Sequence, residues 1–190
     1  MNCDIILAGV GGQGVLSIAA IITQAAVNEG LQVRQSEVHG MAQRGGAVSA
    51  HLRIADKTIA SDLVPQGSAD LILSMEPLES LRYTAWLSPK GILISAAEPL
   101  VNIPNYPDIS GILDTIRKFP RCRIVEAAVI AKEAGLSRAV NTVMVGAASA
   151  FLPIGVKTLE DTIEKMFMQK DAAMALANKK AFELGRNAAQ

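Results

Sequence analysis

The sequence contains few of the residues on which most metal and redox sites depend. Its 190 residues include only two cysteines and two histidines. Cys3 and Cys122 lie far apart and lack the spacing of metal ligands, so we expect two free, buried thiols in a reducing cytosol. Because iron–sulfur clusters usually need four cysteine thiolates, the chain is expected to hold no such cluster of its own.

Charge imbalance and long apolar runs are also absent. The chain has 18 basic and 18 acidic side chains, which argues against bulk electrostatic binding to nucleic acid or to an anionic membrane. No uninterrupted apolar run reaches the roughly 18 residues that indicate a membrane-spanning helix. No basic segment precedes an apolar run at the start, as it would in a signal peptide. We therefore expect a cytoplasmic protein.

Aromatic residues make up only 4% of the chain, whereas hydrophobic residues make up 50% and charged residues 19%. This balance is typical of a folded domain, and its core must consist mainly of aliphatic side chains and methionine. The length suits one domain with a full core. We expect a single domain over residues 1–190, without an internal repeat.

Apolar periodicity predicts alternating strands and helices. Predicted strands cover residues 4–8, 31–36, 47–54, 69–74, 91–95 and 123–127. Predicted helices cover residues 13–28, 77–86, 109–119, 128–134, 140–152 and 170–185, and a capping box at Thr158 would open one more. This order predicts an α/β fold, a Rossmann-like three-layer sandwich with a mostly parallel sheet. A return strand at residues 58–60 would add an antiparallel hairpin.

A glycine-rich turn follows the first predicted strand. Gly9, Gly11 and Gly14 fit the pattern G-x-G-x-x-G, whose glycines allow a tight turn, close approach of a ligand and packing of helix on strand. A helix that begins near Gln13 would point free N–H groups into this turn, which suits an anion. A purely structural turn, a protein-binding surface and a nicotinamide site are the alternatives.

The second predicted strand argues against a nicotinamide site. An NAD site usually has an acidic residue at the end of that strand, about 20 residues after the glycines. Arg34 and Gln35 occupy this position, and Glu37 comes late. Arg34 could bind the 2′-phosphate of NADP, so a site for that nucleotide stays open.

A second unusual stretch covers residues 36–46, Ser-Glu-Val-His-Gly-Met-Ala-Gln-Arg-Gly-Gly. It combines a carboxylate, an imidazole, an amide and a guanidinium with three glycines, and such variety on a loop indicates a site, with a solvated loop as the alternative. His39 alone does not indicate catalysis, and no Ser-His-Asp or Cys-His set can be assembled from two histidines. His51 lies on the polar face of the alternating strand at 47–54 and is expected at the surface.

Two further residues are expected at the same edge of the sheet. Glu76 follows the strand at 69–74, and ligands of open α/β sheets bind beyond the carboxyl ends of strands. Glu76 could equally cap the helix that begins at Pro77 or face solvent. Asn141 lies near the start of a predicted helix, and a capping role is favoured over a ligand contact. The candidate binding residues are Gly9, Gly11, Gly12, Gln13, Gly14, Glu37, His39, Gly40, Gln43, Arg44, Gly45, Glu76 and Asn141.

Several of these segments together resemble the gamma subunits of 2-oxoacid:ferredoxin oxidoreductases, and most closely the indolepyruvate branch of that family. The segments are Gly-Val-Gly-Gly-Gln-Gly at residues 9–14, the loop at 36–46, Asp70-Leu71 through Glu76-Pro77, Asn141-Thr142 and Asn178-Lys179-Lys180-Ala181-Phe182. The resemblance extends over essentially the whole chain, and the loop at 36–46 is its most specific part.

The resemblance implies a single gamma-type domain in an enzyme that oxidatively decarboxylates a 2-oxoacid, here an aryl pyruvate. Coenzyme A accepts the acyl group, and ferredoxin accepts the electrons through the complex. A large partner subunit would carry thiamine diphosphate and the [4Fe–4S] clusters, so this chain would hold no cofactor and be inactive alone. The candidate residues would place coenzyme A, the substrate or a loop of the partner, and none is expected to transfer a proton.

Two other functions are compatible with the residues alone. The glycine turn could serve a stand-alone nucleotide-binding module or regulator, or a self-contained nicotinamide reductase. Residues 140–152 are apolar on nearly all sides, which is typical of a buried helix or of one that docks on another chain. A docking helix would favour the subunit hypothesis.

Overall fold

The computed structural model describes residues 1–39, 45–169 and 171–189, with His39 described in its backbone only. The strands within these ranges are β1 (Asn2–Val10), β2 (Gln32–His39), β3 (Ala47–Ala55), β4 (Ala69–Ser74), β5 (Leu87–Ala96) and β6 (Cys122–Val125). The helices are α1 (Val15–Asn28), α2 (Pro77–Arg82), α3 (Ile109–Arg117), α4 (Ala127–Glu133), α5 (Val140–Ala148), α6 (Val156–Met168) and α7 (Ala172–Ala188), with short 3₁₀ turns at Thr84–Trp86 and Ser149–Phe151.

The strands form one sheet in the order β2-β3-β1-β4-β5-β6. β1 pairs in parallel with β4, β4 with β5, and β5 with β6. β3 runs antiparallel to both of its neighbours, β1 and β2. The sheet is therefore mostly parallel, as predicted, with one reversed strand inside it.

The predicted position of the hairpin is wrong. β2 and β3 form the hairpin, and residues 58–60 form no strand. β3 also pairs with the whole of β1, from Asn2 opposite Ala55 to Val10 opposite Ala47, so β1 and β2 are not neighbours. Burial explains why β3 lies beside β1. β3 is buried on both faces, which suits a central position in the sheet. β2 carries several exposed side chains and suits the edge.

Helices cover both faces of the sheet. α1 and α4 to α7 form the layer on one face, where Leu7 and Leu73 belong to their shared core. α2 and α3 form the layer on the other face, with Ile6 and Ile72 beneath them. Consecutive residues of a strand point to opposite faces, which is why Ile6 and Leu7 serve different layers. The predicted three-layer sandwich is confirmed.

α5 and α7 approach each other at glycines. A Cβ atom at Gly146 would lie 2.1 Å from the carbonyl oxygen of Phe182, and one at Gly185 would lie 2.1 Å from the carbonyl oxygen of Val143. The backbones of the two helices are therefore in direct contact. α5 is buried inside the chain along residues 142–148, so it offers no docking face there.

The starts of α6 and α7 differ from those predicted. α6 already begins at Val156, so Thr158 lies inside its first turn and forms no capping box. α7 begins at Ala172 because Asp171 caps it, accepting a hydrogen bond from the N–H of Ala173 at 3.1 Å. None of the helices in the described part of the chain is long and apolar enough to cross a membrane.

The polar face of β3 is covered, so the prediction of a surface position for His51 is wrong. His51 is only 8% exposed, and its Nδ1 accepts a hydrogen bond from the N–H of Val64 at 3.0 Å. Its ring packs edge-on against Trp86. Burial lowers the pKa of His51. The strand pattern could not reveal this cover, because the covering segment follows the strand and has no periodicity of its own.

The same segment is held by a buried ion pair. Nε and Nη2 of Arg53 donate to the carboxylate of Asp4 at 2.8 and 3.1 Å. Nη1 of Arg53 donates to the carbonyl oxygens of Ser61 and Leu63, each at 3.2 Å. One guanidinium therefore joins β3, β1 and the segment that follows β3.

Both cysteines are free thiols, but only Cys3 is buried as predicted. Cys122 is half-buried, because it lies on the edge strand β6. Burial, with smaller contributions from Asp70 and Asp4, raises the pKa of Cys3 to about 12. Among the described residues no group of three or more His, Cys, Asp or Glu side chains could hold a metal ion.

Candidate functional site

The glycine turn joins β1 to α1 at the carboxyl edge of the parallel strands. A Cβ atom at Gly9 would lie 2.8 Å from Cγ2 of Val15, so glycine lets the helix pack closely on the strand. Gly12 and Gly14 have φ values of 104° and 85°, which favour glycine. Gly14 occupies the N-cap position of α1, where no side chain caps the helix. The first N–H groups of α1 therefore have no side-chain acceptor at the turn, which suits an anion.

Gln13 closes the turn from inside. Its side-chain oxygen accepts from the N–H of Val10 at 2.8 Å, and its side-chain nitrogen donates to the carbonyl oxygen of Met75 at 3.1 Å. Its own N–H donates to the carbonyl oxygen of Val10 at 3.0 Å. Gln13 thus links the ends of β1 and β4, and both ends of its amide are engaged within the chain.

Gly11 connects the glycine turn to the end of the stretch at residues 36–46, which we call the polar loop. Its N–H donates to the carbonyl oxygen of Gly46 at 2.8 Å, and its carbonyl oxygen accepts from the N–H of Gly45 at 3.3 Å. These reciprocal hydrogen bonds bring together the two stretches that are most unusual in the sequence.

Of the rest of the polar loop, the structure describes only residues 36–39 at its start. Glu37 lies on the exposed edge strand β2, where its carboxylate accepts from the side-chain amide of Gln35. Gly45 is thus the candidate of this loop that lies at the glycine turn. The candidates outside the described structure are Gly40, Gln43 and Arg44, together with the side chain of His39.

Glu76 is a buried helix cap. It is 1% exposed, and its Oε2 accepts from the N–H of Glu79 at 2.8 Å at the start of α2. Its Oε1 accepts from the N–H of Leu100 at 3.4 Å and from the hydroxyl of Tyr106. Burial and this hydrogen bond raise the pKa of Tyr106. Of the interpretations left open for Glu76, the cap is the one observed.

Asn141 faces the glycine turn and does not cap α5. Ala139 occupies the N-cap position, and Asn141 lies in the first turn, where its Oδ1 accepts from the N–H of Thr142 at 2.9 Å. A Cβ atom at Gly14 would lie 3.5 Å from Nδ2 of Asn141. The favoured capping role is therefore wrong, and the amide nitrogen lies beside the turn because α5 packs next to α1.

A cleft of about 560 Å³ opens beside the turn, between the ends of β4 and β5 and the starts of α4 and α5. Gly12, Gly14 and Asn141 line it, and the charged residues in its lining, among those that the structure describes, are Glu98 and Arg138. Oε1 of Glu98 accepts from the N–H of Ala128 at 2.9 Å, whereas Oε2 is buried without a hydrogen-bond partner among the described residues. The cleft thus combines backbone and amide donors with one cation and one carboxylate.

Two further depressions meet the cleft. An apolar one of about 410 Å³ lies on the other side of the turn, lined by Val10, Val15 and Val48, with Leu16 41% exposed at its rim. A groove of about 760 Å³ runs between α1, α6 and α7 and shares Asn141 and Arg138 with the cleft. The apolar depression and the cleft therefore share the glycine turn, and the groove meets the cleft at Arg138 and Asn141.

The sequence interpretation missed Glu98 and Arg138. Glu98 lies just beyond Ala96, the last residue of the parallel strand β5, so the rule that ligands bind beyond strand ends could have identified it. Arg138 lies in the connection between α4 and α5, and no local pattern links it to the glycine turn.

Comparison with known proteins finds similarity over most of the chain. The profile of pyruvate ferredoxin/flavodoxin oxidoreductase matches residues 4–188. Indolepyruvate oxidoreductase subunit IorB of Archaeoglobus fulgidus is 36% identical over 198 residues, which cover 100% of this chain and 96% of that protein. The common gamma subunit of the pyruvate/ketoisovalerate oxidoreductases of Pyrococcus furiosus is 30% identical over 162 residues, which cover 84% of this chain and 83% of that protein.

A solved structure has the same fold. The gamma subunit of keto/oxoacid ferredoxin oxidoreductase from Geobacter sulfurreducens PCA matches with a TM-score of 0.71 and 25% sequence identity, over 98% of each chain. The similarity therefore extends over nearly the whole of both chains.

Proposed function

The chain belongs to the pyruvate ferredoxin/flavodoxin oxidoreductase family and is a subunit of a 2-oxoacid:ferredoxin oxidoreductase, and from this premise we propose its particular role. It serves an enzyme that converts indolepyruvate or another aryl pyruvate, with coenzyme A, to an acyl-CoA, carbon dioxide and reduced ferredoxin. Its own task is to dock on the catalytic subunit and to hold coenzyme A beside the glycine turn.

The substrate proposal rests on a gradient of similarity. Identity is 36% with the indolepyruvate oxidoreductase subunit, over the full length of this chain. It is 30% with the pyruvate/ketoisovalerate subunit, over 84% of this chain. Both similarity and coverage thus favour the aryl pyruvate branch.

The cofactors are proposed to belong to a large partner subunit. Thiamine diphosphate supplies the carbanion chemistry of such enzymes, and iron–sulfur clusters carry single electrons to ferredoxin. The described residues of this chain do not fit a cluster, because Cys3 is a buried thiol with a raised pKa on β1 and Cys122 lies on the edge strand β6. We therefore expect the chain to be inactive alone.

The cleft beside the glycine turn is the observation that carries the binding role. The free N–H groups at the start of α1, the amide of Asn141 and the guanidinium of Arg138 are suited to an anionic group such as a phosphate of coenzyme A. His39, Gln43 and Arg44 are proposed to add hydrogen bonds from the polar loop. These groups bind and orient, and no proton transfer is assigned to them.

The decisive experiment is anaerobic co-purification and assay with the catalytic partner. We expect indolepyruvate- and coenzyme A-dependent reduction of ferredoxin by the complex, and none by either chain alone. Full activity of the partner without this chain would contradict the subunit role. Equal or higher catalytic efficiency with pyruvate or 2-oxoglutarate would contradict the proposed substrate.

Substitution Arg138→Ala tests the binding site within the active complex. Loss of a charge-assisted hydrogen bond is expected to raise the KM for coenzyme A about tenfold, with kcat within about twofold of the original value. Arg117→Ala is the matched control, because this exposed arginine lies on α3, on the opposite face of the sheet. An unchanged KM in Arg138→Ala would remove Arg138 from the site.

A stand-alone nucleotide-binding module is the second candidate, favoured by the same uncapped start of α1. Calorimetric titration of the isolated chain with ATP and NADP tests it, and we expect no binding in the micromolar range. Binding of NADP through Arg34 is further disfavoured because β3 separates β2 from β1. Arg34 on β2 therefore does not lie on the strand next to the glycine turn.

A further inference from the structure

The connection between β5 and α3, residues 97–108, contains no helix or strand and borders the cleft. We call this segment the strap. Its middle and end are held by Glu76, which accepts hydrogen bonds from the N–H of Leu100 and the hydroxyl of Tyr106. Because Glu76 is buried at the start of α2, the strap has a fixed base.

One side chain of the strap reaches the end of the polar loop. Nδ2 of Asn102 donates to the carbonyl oxygen of Gly45 at 2.8 Å. The N–H of Gly45 donates to the carbonyl oxygen of Gly11. The N–H of Gly11 in turn donates to the carbonyl oxygen of Gly46. A continuous hydrogen-bonded path therefore runs from the strap, through the end of the polar loop, to the glycine turn.

The residues around Asn102 indicate that this contact depends on one side chain. Val101 and Ile103 are 68% and 38% exposed, on either side of it in the strap. Asn105 is exposed and forms no hydrogen bond with the described residues. Between these two exposed apolar residues, the amide of Asn102 is directed at a backbone carbonyl in a solvent-exposed hydrogen bond.

We infer that Asn102 is a positioning residue, which keeps the end of the polar loop against the glycine turn so that both present one surface to coenzyme A. The inference rests on the proposed function for its ligand. It does not place Asn102 in contact with that ligand, since Asn102 acts through Gly45 and Gly11. Glu76 and Tyr106 hold the strap from which it acts.

Hydrogen exchange of the isolated full-length chain tests the structural part of the inference. In Asn102→Ala, the amides of residues 9–14 and 45–46 are expected to exchange about three- to tenfold faster, since a hydrogen bond that restrains them is lost. The melting temperature should stay within about 2 °C, because the side chain lies outside the core. Asn105→Ala is the control and should match the original chain in both measurements.

Kinetics of the complex test the positioning role. Asn102→Ala is expected to raise the KM for coenzyme A about three- to tenfold and to leave kcat within about twofold. Asn102→Asp keeps the size of the side chain but loses the donor, so it should behave like Asn102→Ala. Asn102→Gln keeps an amide donor on a longer side chain and should recover part of the affinity.

The outcomes separate this inference from the proposed function. Unchanged exchange at residues 9–14 in Asn102→Ala overturns the hydrogen-bonded path. Faster exchange with an unchanged KM for coenzyme A leaves Asn102 a purely structural residue and overturns the positioning role. If the original complex shows no coenzyme A-dependent activity at all, the proposed function fails, while the exchange result still reports on the path.

Discussion

The two halves of the sheet meet at β1 and differ in construction. On one side, β4, β5 and β6 continue β1 in parallel and are covered by helices on both faces. On the other side, the antiparallel hairpin of β2 and β3 ends at an exposed edge and carries the polar loop. The glycine turn lies on the boundary, so its neighbours come from both halves.

The difference argues against a nicotinamide site at the glycine pattern. In a dinucleotide-binding fold the second strand lies beside the first, and its acidic tip reaches the ribose. In this chain β3 occupies that place, and Gly45 and Gly46 at its start bind the backbone of Gly11. The hairpin therefore puts a loop where a nucleotide-binding fold would put a strand tip.

The close packing of the helices on the parallel half predicts the largest effect. In Gly185→Ala the new Cβ atom would lie 2.1 Å from a backbone oxygen of α5. The two helices would have to move apart to relieve this clash. We expect a loss of about 3 kcal/mol or more in the free energy of unfolding, measured by denaturant unfolding. Gly111→Ala in α3 is the control, since its Cβ would meet only an oxygen of Asp108 at 3.9 Å. A similar loss in both variants would contradict the packing argument.

The ion pair at the boundary predicts the next largest effect. Arg53→Ala leaves the Asp4 carboxylate, whose side chain is 4% exposed, without its cation. We expect a loss of about 2–3 kcal/mol in unfolding free energy, less than for a fully buried pair because Arg53 is itself 17% exposed.

Arg34→Ala is the matched control for that substitution. Arg34 lies directly opposite Arg53 in the sheet, but its contact with Asp62 is 3.9 Å long and exposed. We expect a change of less than about 1 kcal/mol. A loss equal to that of Arg53→Ala would show that the position on the sheet, and not the buried pair, determines the stability.

His51 in the hairpin predicts the smallest effect, a dependence of stability on pH. Burial lowers its pKa from an ordinary value of 6.5, so the unfolded chain takes up the proton first as the pH falls. The stability contributed by neutral His51 is complete above pH 6.5 and is lost as the pH falls towards the lowered pKa of the folded state. In thermal unfolding between pH 7.5 and 5, His51→Asn should lose less stability than the original chain loses. Equal losses would contradict the prediction.

The parallel half was predictable because its signals are local. Buried apolar runs identify β4 and β5, and the glycine residues Gly30 and Gly135 mark the ends of α1 and α4 with φ values of 77° and 89°. The family resemblance was also readable, since it depends on motifs in the sequence itself. The hairpin was misplaced because the order of strands depends on which surfaces pack together, and periodicity within one strand does not record its neighbours.

The candidate site likewise contains residues that local sequence predicts and residues whose contacts depend on distant parts of the chain. Gly9, Gly12 and Gly14 could be identified from the sequence, because a close approach or a positive φ restricts a position to glycine whatever lies far away in the chain. The cap that Glu76 forms with Glu79 is local, but its contacts with Leu100 and Tyr106 could not be predicted, since the strap brings these residues to it.

The sequence by itself determined the α/β class, the glycine turn and the family, because each rests on residue types at short spacing. Only the tertiary structure decided that β3 separates β1 from β2, that Arg138 and Asn141 border the turn, and that Asn102 reaches Gly45 across 57 residues. These are contacts between distant parts of the chain. Their free energy depends on how whole layers pack, and no short segment of sequence contains that information.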